Sequence, residues 1–370
     1  MLKTKLNNLR EPEAQSFLEE LLEQIQKPDK EVLKESAFRW SKVAKPLNSL
    51  GILEEDIMQI AGIAGTADVS LAKKALIIMC ADNGVVAEGV SQTGQEVTAV
   101  VTANLTRGDS CACLMAKQAG VDVYPVDIGV ACPIGETGKK HPLINRKIRF
   151  GTADFLKERA MTRAETVKAL LTGISMVEEL KQKNYKIIAT GEMGIGNTTT
   201  SSAVVSVLLG ETPERMTGKG AGLSGAGLER KIQVIKEGIL KHCPDKNDGI
   251  DVLSKVGGLD LAGLAGVFLG GAIYHIPVVI DGFISAAAAA AAAVIHETAT
   301  DYMMASHVSA EPAGRLVLDF LGKKPVIWAD MCLGEGTGAV ALMPLLDMAL
   351  AVYRDMSTFS EIKIDDYEEL

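Results

Sequence analysis

A short apolar run that ends in a polar, turn-rich loop recurs five times along this chain, and that recurrence limits the folds open to it. The runs cover residues 75–80, 121–126, 185–190, 275–280 and 325–329. The first, 75–80, is continuously apolar, which suits a strand covered on both faces, and the others are short and largely apolar. The loops that follow begin Ala81-Asp-Asn-Gly84, Asp127-Ile-Gly129, Gly191-Glu-Met-Gly-Ile-Gly-Asn197, Asp281-Gly-Phe283 and Asp330-Met-Cys-Leu-Gly-Glu-Gly-Thr-Gly338. Three of them lead directly into helical stretches, at 198–209, 284–296 and 339–353. Strand, polar loop and helix in repetition predict an α/β fold: a parallel sheet with helices on both faces, Rossmann-like and doubly wound. Ligands of such sheets sit at the carboxyl ends of the strands, which is where these loops lie.

The ends of the chain read differently. Phe17, Leu18, Leu21, Leu22 and Ile25 recur at helical spacing, and Asp29 is placed to cap a second helix through Val32, Leu33 and Phe38. The segment from 343 to about 359 is helical in pattern, followed by an acidic tail. The expected organisation is a large α/β domain over 66–342 and a smaller helical domain from 1–65 with 343–370. The helix expected over 259–274 carries seven small residues, at 262, 263, 265, 266, 270, 271 and 272, which suits close packing on a neighbour. Residues 276–295 look membrane-like, but Pro277, Asp281 and the alanine run 286–293 fit a helix buried against a sheet better than a bilayer span.

Composition narrows the partners. A net charge of −9 and only 4% aromatic residues argue against nucleic acid, which is held by clustered Lys and Arg and by stacking. No membrane partner is expected. The six cysteines form no CxxC pair, so scattered reduced thiols, no metal site and a cytoplasmic location are expected, and the start of the chain lacks the apolar core of a signal peptide. Glycine is abundant at 36 residues, and a local glycine loop can hold a phosphate whatever the global charge.

Gly220-Ala-Gly-Leu-Ser-Gly225 spells the dinucleotide fingerprint, but residues 211–219 before it do not read as a strand, so the context for a nicotinamide dinucleotide is missing. No GxxxxGK[ST], HExxH or GxSxG motif is present. The loop 191–200 is more telling. Gly194 and Gly196 leave amides unobstructed, and Asn197 and Thr198 are placed to cap the next helix, as at a phosphate or anion site. Glu192 sits oddly beside an anion and is expected to face a polar or cationic part of the ligand. Glu335, between Gly334 and Gly336, is presented free of neighbouring side chains. An apolar wall from Met331, Leu333, Ala339 and Val340 would fit it for general-base work near neutral pH. His307 could be catalytic, but with no partner that the sequence identifies it is read as a loop residue or as one that supports the site residues from behind.

Six ordered motifs now stand together: Ala81-Asp-Asn-Gly-Val85, Val90-Ser-Gln-Thr-Gly-Gln-Glu-Val-Thr98, the 191–200 loop, Val279-Ile-Asp-Gly-Phe283, Ser306-His-Val-Ser-Ala-Glu-Pro312 and Leu333-Gly-Glu-Gly-Thr-Gly-Ala339. With them the chain resembles the nicotinate-nucleotide:dimethylbenzimidazole phosphoribosyltransferases, which activate the lower ligand of cobalamin, over about residues 30 to 360. The resemblance implies transfer of phosphoribose from nicotinate mononucleotide to an aromatic base, with no cofactor. It implies catalytic roles for Glu335, as general base, and for Glu192. It also implies substrate binding by Asn83, Gln95, Thr98, Gly194, Gly196, Asn197, Thr198, Asp281, Ser309, Leu333, Gly334 and Gly336. Lys231 is the cation expected near the phosphate, with Lys219 as its rival. The family is also dimeric, so a homodimer, or a heterodimer with a related chain, is expected. The family's first motif reads Ala-Asp-His-Gly, and Asn83 stands here in place of the histidine. Asn carries no proton near neutral pH, so acceptor identity stays open between benzimidazole, phenol, p-cresol and adenine. A non-catalytic nucleotide-binding protein would keep the glycine loops but could dispense with Glu335.

Overall fold

The computed structural model describes residues 11–220 and 222–367. Its centre is a six-stranded, wholly parallel sheet: β1 (Lys74–Ala81), β2 (Val121–Gly129), β3 (Ile144–Asn145), β4 (Ile187–Met193), β5 (Val278–Ile280) and β6 (Met303–Ala305). The strand order is β3-β2-β1-β4-β5-β6, so the winding reverses between β1 and β4. This is the order of the doubly wound dinucleotide-binding folds, in which the crevice at the reversal is the usual ligand site.

The central strands are largely apolar because both their faces are covered. All eight residues of β1 are buried. Ile77, Met79, Ile188 and Val278 face a core shared with helices Arg163–Gln182, Leu259–Tyr274 and Phe283–Ile295. Leu76, Ile78, Ile187 and Val279 face a second core built with helices Ile52–Ala64, Cys111–Ala119 and Thr337–Asp355. The alternation is the two-residue period of a strand read on both sides.

The small residues of helix Leu259–Tyr274 work as expected. A side chain at Gly266 would strike the backbone of Leu170, and one at Gly173 would strike the backbone of Gly263, so the two helices touch main chain to main chain. Residues 276–295 divide into β5 and helix Phe283–Ile295, whose alanines 286–292 are all buried. Helix Thr337–Asp355 is long and apolar enough to cross a membrane by length and composition alone; its Ala339, Leu342, Met343 and Leu346 pack in the second core. It runs unbroken through position 343. Its carboxyl end meets the helix that Asp29 caps: the Tyr353 hydroxyl donates to Ser36 Oγ at 3.1 Å, and Val43 bridges Thr358 in antiparallel fashion.

One expected strand is corrected. Residues 325–329 make only a single bridge, Ile327 to His307, rather than a ladder. Pro325 contributes no N–H, and Trp328 and Ala329 turn out to solvent. The edge place in the sheet belongs to β6 instead, whose Met-Met-Ala core lacks β-branched residues and gave no strand pattern.

Candidate active site

The strand-end loops enclose a cavity of about 210 Å3. Its walls come from the end of β4 (Glu192, Met193, Gly194), the helix start at Asn197 and Thr198, the turn after β5 (Asp281, Gly282, Phe283), the segment after β6 (His307, Ser309, Glu311) and residues 332–335. Two glycine loops are pressed together here. A side chain at Gly191 would lie 2.5 Å from the Glu335 carbonyl oxygen, and one at Gly334, whose φ is 89°, would lie 2.5 Å from Glu192 Oε1. Glycine is therefore required at 334 both by its left-handed backbone and by the carboxylate opposite.

Glu192 is 6% exposed. Asn197 lies at the first helical position, with Gly196 as the N-cap, and its side chain does not cap the helix as the sequence suggested. Its amide donates instead to Glu192 Oε2 and, at 3.1 Å, to Asp260 Oδ2. Burial, and then the neighbouring Asp260, push the Glu192 carboxyl up to about 8. Burial also lifts Asp260 to about 6, against the pull of the Asn197 amide and of Leu261 N. Asp260 escaped the motif reading, yet it is the only charged residue in the sequence of helix Leu259–Tyr274, a signal that was legible.

Glu335 is half-buried at the cavity wall, with a left-handed φ of 57° that only a loop held on both sides sustains. Its Oε2 accepts from Ala112 N at 3.3 Å, at the start of helix Cys111–Ala119, which fixes the carboxylate's orientation. Of the apolar residues expected around it, Leu333 lines the cavity while largely exposed, and Ala339 and Val340 turn into the second core. The deeply buried carboxylate is Glu192.

Asp281 has a structural task besides its place in the cavity wall. Its Oδ1 accepts from Gly338 N at 2.7 Å and Ala339 N at 3.0 Å, and its Oδ2 from Gly336 N at 3.2 Å. It caps helix Thr337–Asp355 from a different strand, so the Gly336 amide expected to hold the nucleotide is already taken. Asp281 also lines the cavity, where it faces His307. Burial lowers the His307 imidazole although Asp281 pulls it the other way, and its Nδ1 lies 3.1 Å from Ser306 Oγ.

Lys231 is fully buried. Its Nζ donates to Thr198 Oγ1 at 2.8 Å and to the Gly218 carbonyl at 3.1 Å, just behind Gly220 of the cavity wall. Burial brings its ammonium down to about 8. Lys219, the rival cation, is exposed and borders a smaller neighbouring hollow with Gly196 and Thr198.

Comparison with known proteins decides what kind of site this is. Residues 25–364 match the phosphoribosyltransferase family profile. The nicotinate-nucleotide:dimethylbenzimidazole phosphoribosyltransferase of Clostridium acetobutylicum is 47% identical over 353 residues, 95% of this chain and 99% of its own. The enzyme of the same name from Ruminiclostridium cellulolyticum is 46% identical over 352 residues, 95% of this chain and 99% of its own. The crystal structure of CobT from Thermus thermophilus superposes with a TM-score of 0.85 at 37% identity, covering 91% of this chain and all of that one. The chain belongs to the nicotinate-nucleotide:dimethylbenzimidazole phosphoribosyltransferase family.

Within this phosphoribosyltransferase the expected site residues divide into two sets. Glu192, Gly194, Asn197, Thr198, Asp281, Ser309, Leu333, Gly334 and Glu335 line the one cavity. Outside its wall lie Asn83, Gln95, Thr98, Lys231, Gly336 and Gly196, the last lining the smaller neighbouring hollow. Asn83 is fully buried beneath the β1–β4 crevice, where Thr200 Oγ1 donates to its Oδ1 at 3.4 Å. Gln95 Nε2 donates to the Asn83 carbonyl at 3.3 Å, and Thr98 Oγ1 accepts from Ile195 N at 3.0 Å. These three support the 191–197 loop from below. Phe283, Ile284 and Cys332 also line the wall; no site role was expected of them, although Phe283 ends one of the six motifs.

Proposed function

We propose that the protein transfers 5-phosphoribose from nicotinate mononucleotide to 5,6-dimethylbenzimidazole, releasing nicotinate and α-ribazole phosphate for cobamide lower-ligand assembly. The observation that carries this reading is the convergence of Glu335, Glu192 and the Lys231-bound Thr198 on one cavity, in a chain 47% identical to an enzyme of that name. An acceptor ring nitrogen attacks the anomeric carbon from the face opposite the leaving group. The carbon–nitrogen bond to nicotinate breaks, and its electron pair returns to the pyridinium nitrogen and quenches the positive charge there. The acceptor's N–H proton passes to Glu335, the cavity's oriented carboxylate, a contribution of about 10²–10⁴-fold for a positioned general base. Thr198, at a helix start and backed by the Lys231 ammonium, receives the phosphate. Holding both substrates in line supplies much of the remaining acceleration.

The flat acceptor is gripped by Met193, Ile195, Phe283 and Leu333 against glycine backbone. Phenol and p-cresol are weaker nucleophiles and carry no comparable support from the relatives' names. Exposed Trp328 and Leu333, at 67% and 56%, suit a second copy of the chain seated beside the cavity. The free cysteines suit a reducing cytoplasm. The decisive experiment offers nicotinate mononucleotide with benzimidazoles, phenols and adenine, reads product masses, and repeats the assay with Glu335→Gln. A benzimidazole riboside phosphate lost in that variant is expected; undiminished turnover in it would refute the general-base role. Sedimentation of the same preparation reports the oligomeric state.

A further inference from the structure

We propose that Asp260 is a positioning residue for this transfer: through the Asn197 amide it takes the negative charge of a buried carboxyl pair and leaves Glu192 as an uncharged acid facing the nucleotide. The inference rests on the reading above for the identity of that nucleotide. Its structural basis is independent. A single side-chain amide donates to both carboxyls, to Glu192 Oε2 and to Asp260 Oδ2, inside the protein. The charges that bear most on Glu192 are those of Asp260, Asp281 and Glu335, all acidic; His307 and Glu311 share its cavity wall, and Asp281 is answered by His307. Two ionised carboxylates sharing one amide in such a space repel, so the pair retains a proton.

The surroundings decide which partner keeps it. Asp260 stands in the first turn of helix Leu259–Tyr274, where its Oδ1 accepts from Leu261 N at 3.0 Å and the helix dipole favours an anion. Glu192, among the described residues, accepts no backbone N–H. Its second oxygen, Oε1, looks past Gly334 at the cavity, which would need a side chain at 334 to close it off. The ordering of the two carboxyls, about 8 for Glu192 and about 6 for Asp260, agrees. A neutral acid at that place donates a hydrogen bond to a nucleotide oxygen instead of repelling an anionic substrate. That resolves the oddity of a glutamate beside an anion site.

Two measurements test this. Infrared titration of the ligand-free protein is expected to show a protonated-carboxyl band at pH 7 that is missing from Glu192→Gln; a Glu192 already ionised at pH 7 overturns the proposal. Steady-state kcat/KM is then followed against pH for wild type, Asp260→Asn, Glu192→Gln and the double variant. Wild type is expected to lose activity as pH rises through about 8. Asp260→Asn moves that limb down by about one unit or more, because the like charge that holds the proton on Glu192 is gone. Glu192→Gln keeps only the limb near 8 that the Lys231 ammonium sets, and adding it to Asp260→Asn returns the limb to that position. A uniform loss in Asp260→Asn with the limb unmoved, or no return of the limb in the double variant, assigns Asp260 a structural role and overturns the proposal. If Asp260→Asn does not fold, the infrared comparison of wild type with Glu192→Gln still decides. If wild type makes no product from nicotinate mononucleotide, the substrate reading fails while the infrared result stands.

Discussion

The loops 191–197 and 333–338 look alike as sequence, each a glutamate among glycines between a strand-like run and a helix, yet their carboxylates live in different environments. Glu192 is buried beside a second acid and shares one amide with it. Glu335 is half-buried, turned to a backbone amide of a separate helix. The helices they introduce also differ. Helix Asn197–Leu209 receives no side-chain cap from Gly196 and backs its first turn with Lys231, whereas helix Thr337–Asp355 has its leading amides filled by Asp281. On the proposed function, one loop receives the anion and the other holds the base. Local pattern specifies that a carboxylate is displayed; the neighbours it meets specify what it can do.

The contrast is broken most severely at Glu335. Glu335→Gln is expected to lower kcat by about 10²–10⁴-fold with KM for nicotinate mononucleotide little changed. Glu192→Gln is expected to cost less than about tenfold at pH 7, because an amide still donates where the neutral acid did. If the two losses were equal, the division of labour between the loops would be wrong. Lys231→Met comes next, raising KM for the nucleotide by about 10–100-fold, the worth of a hydrogen bond to a charged group. Lys219→Ala, at an exposed position, is expected to change KM by less than about threefold. Isothermal titration with the nucleotide separates the two lysines.

Smaller effects sharpen the comparison. Asp281→Ala leaves three amides of the 336–339 turn without an acceptor and is expected to destabilise the fold by about 1–3 kcal/mol, read by denaturant midpoint. Gly334→Ala forces a side chain to φ 89° and against Glu192, at a cost of about 1–3 kcal/mol, with activity falling more than stability. The last test is the sign of a pH effect. Because burial raises Glu192 from 4.5 to about 8, the folded state holds a proton that the unfolded state has lost. Its contribution is therefore intact below about pH 4.5 and is lost as pH rises through about 8. Glu192→Gln should raise the melting temperature over wild type more at pH 8 than at pH 5, by calorimetry.

Much of the site was legible because its residues sit on a repeated local unit. A continuous apolar run followed by glycine and a carboxylate places a side chain at a strand end whatever the tertiary context, so Glu192, Asp281 and Glu335 were found together. The helix from Asp29 and the close-packed helix 259–274 were legible for the same reason, through a cap and a run of small residues. The expected strand at 325–329 misled because a short apolar run behind a proline satisfies the pattern without offering a full ladder of N–H groups.

The sequence by itself determined a doubly wound parallel sheet, glycine loops at its carboxyl ends and the carboxylates displayed there, since these follow from periodicity and backbone sterics over a few residues. Only the tertiary structure decided that Asp281 serves as a helix cap, that Asn83 and Lys231 act from behind the wall, and that Asp260 stands next to Glu192. Asp260 and Glu192 are far apart along the chain and belong to different elements. Charge, burial and shared hydrogen bonds depend on distances in space, and those are set when β4 and helix Leu259–Tyr274 pack, not by the residues on either side of each acid.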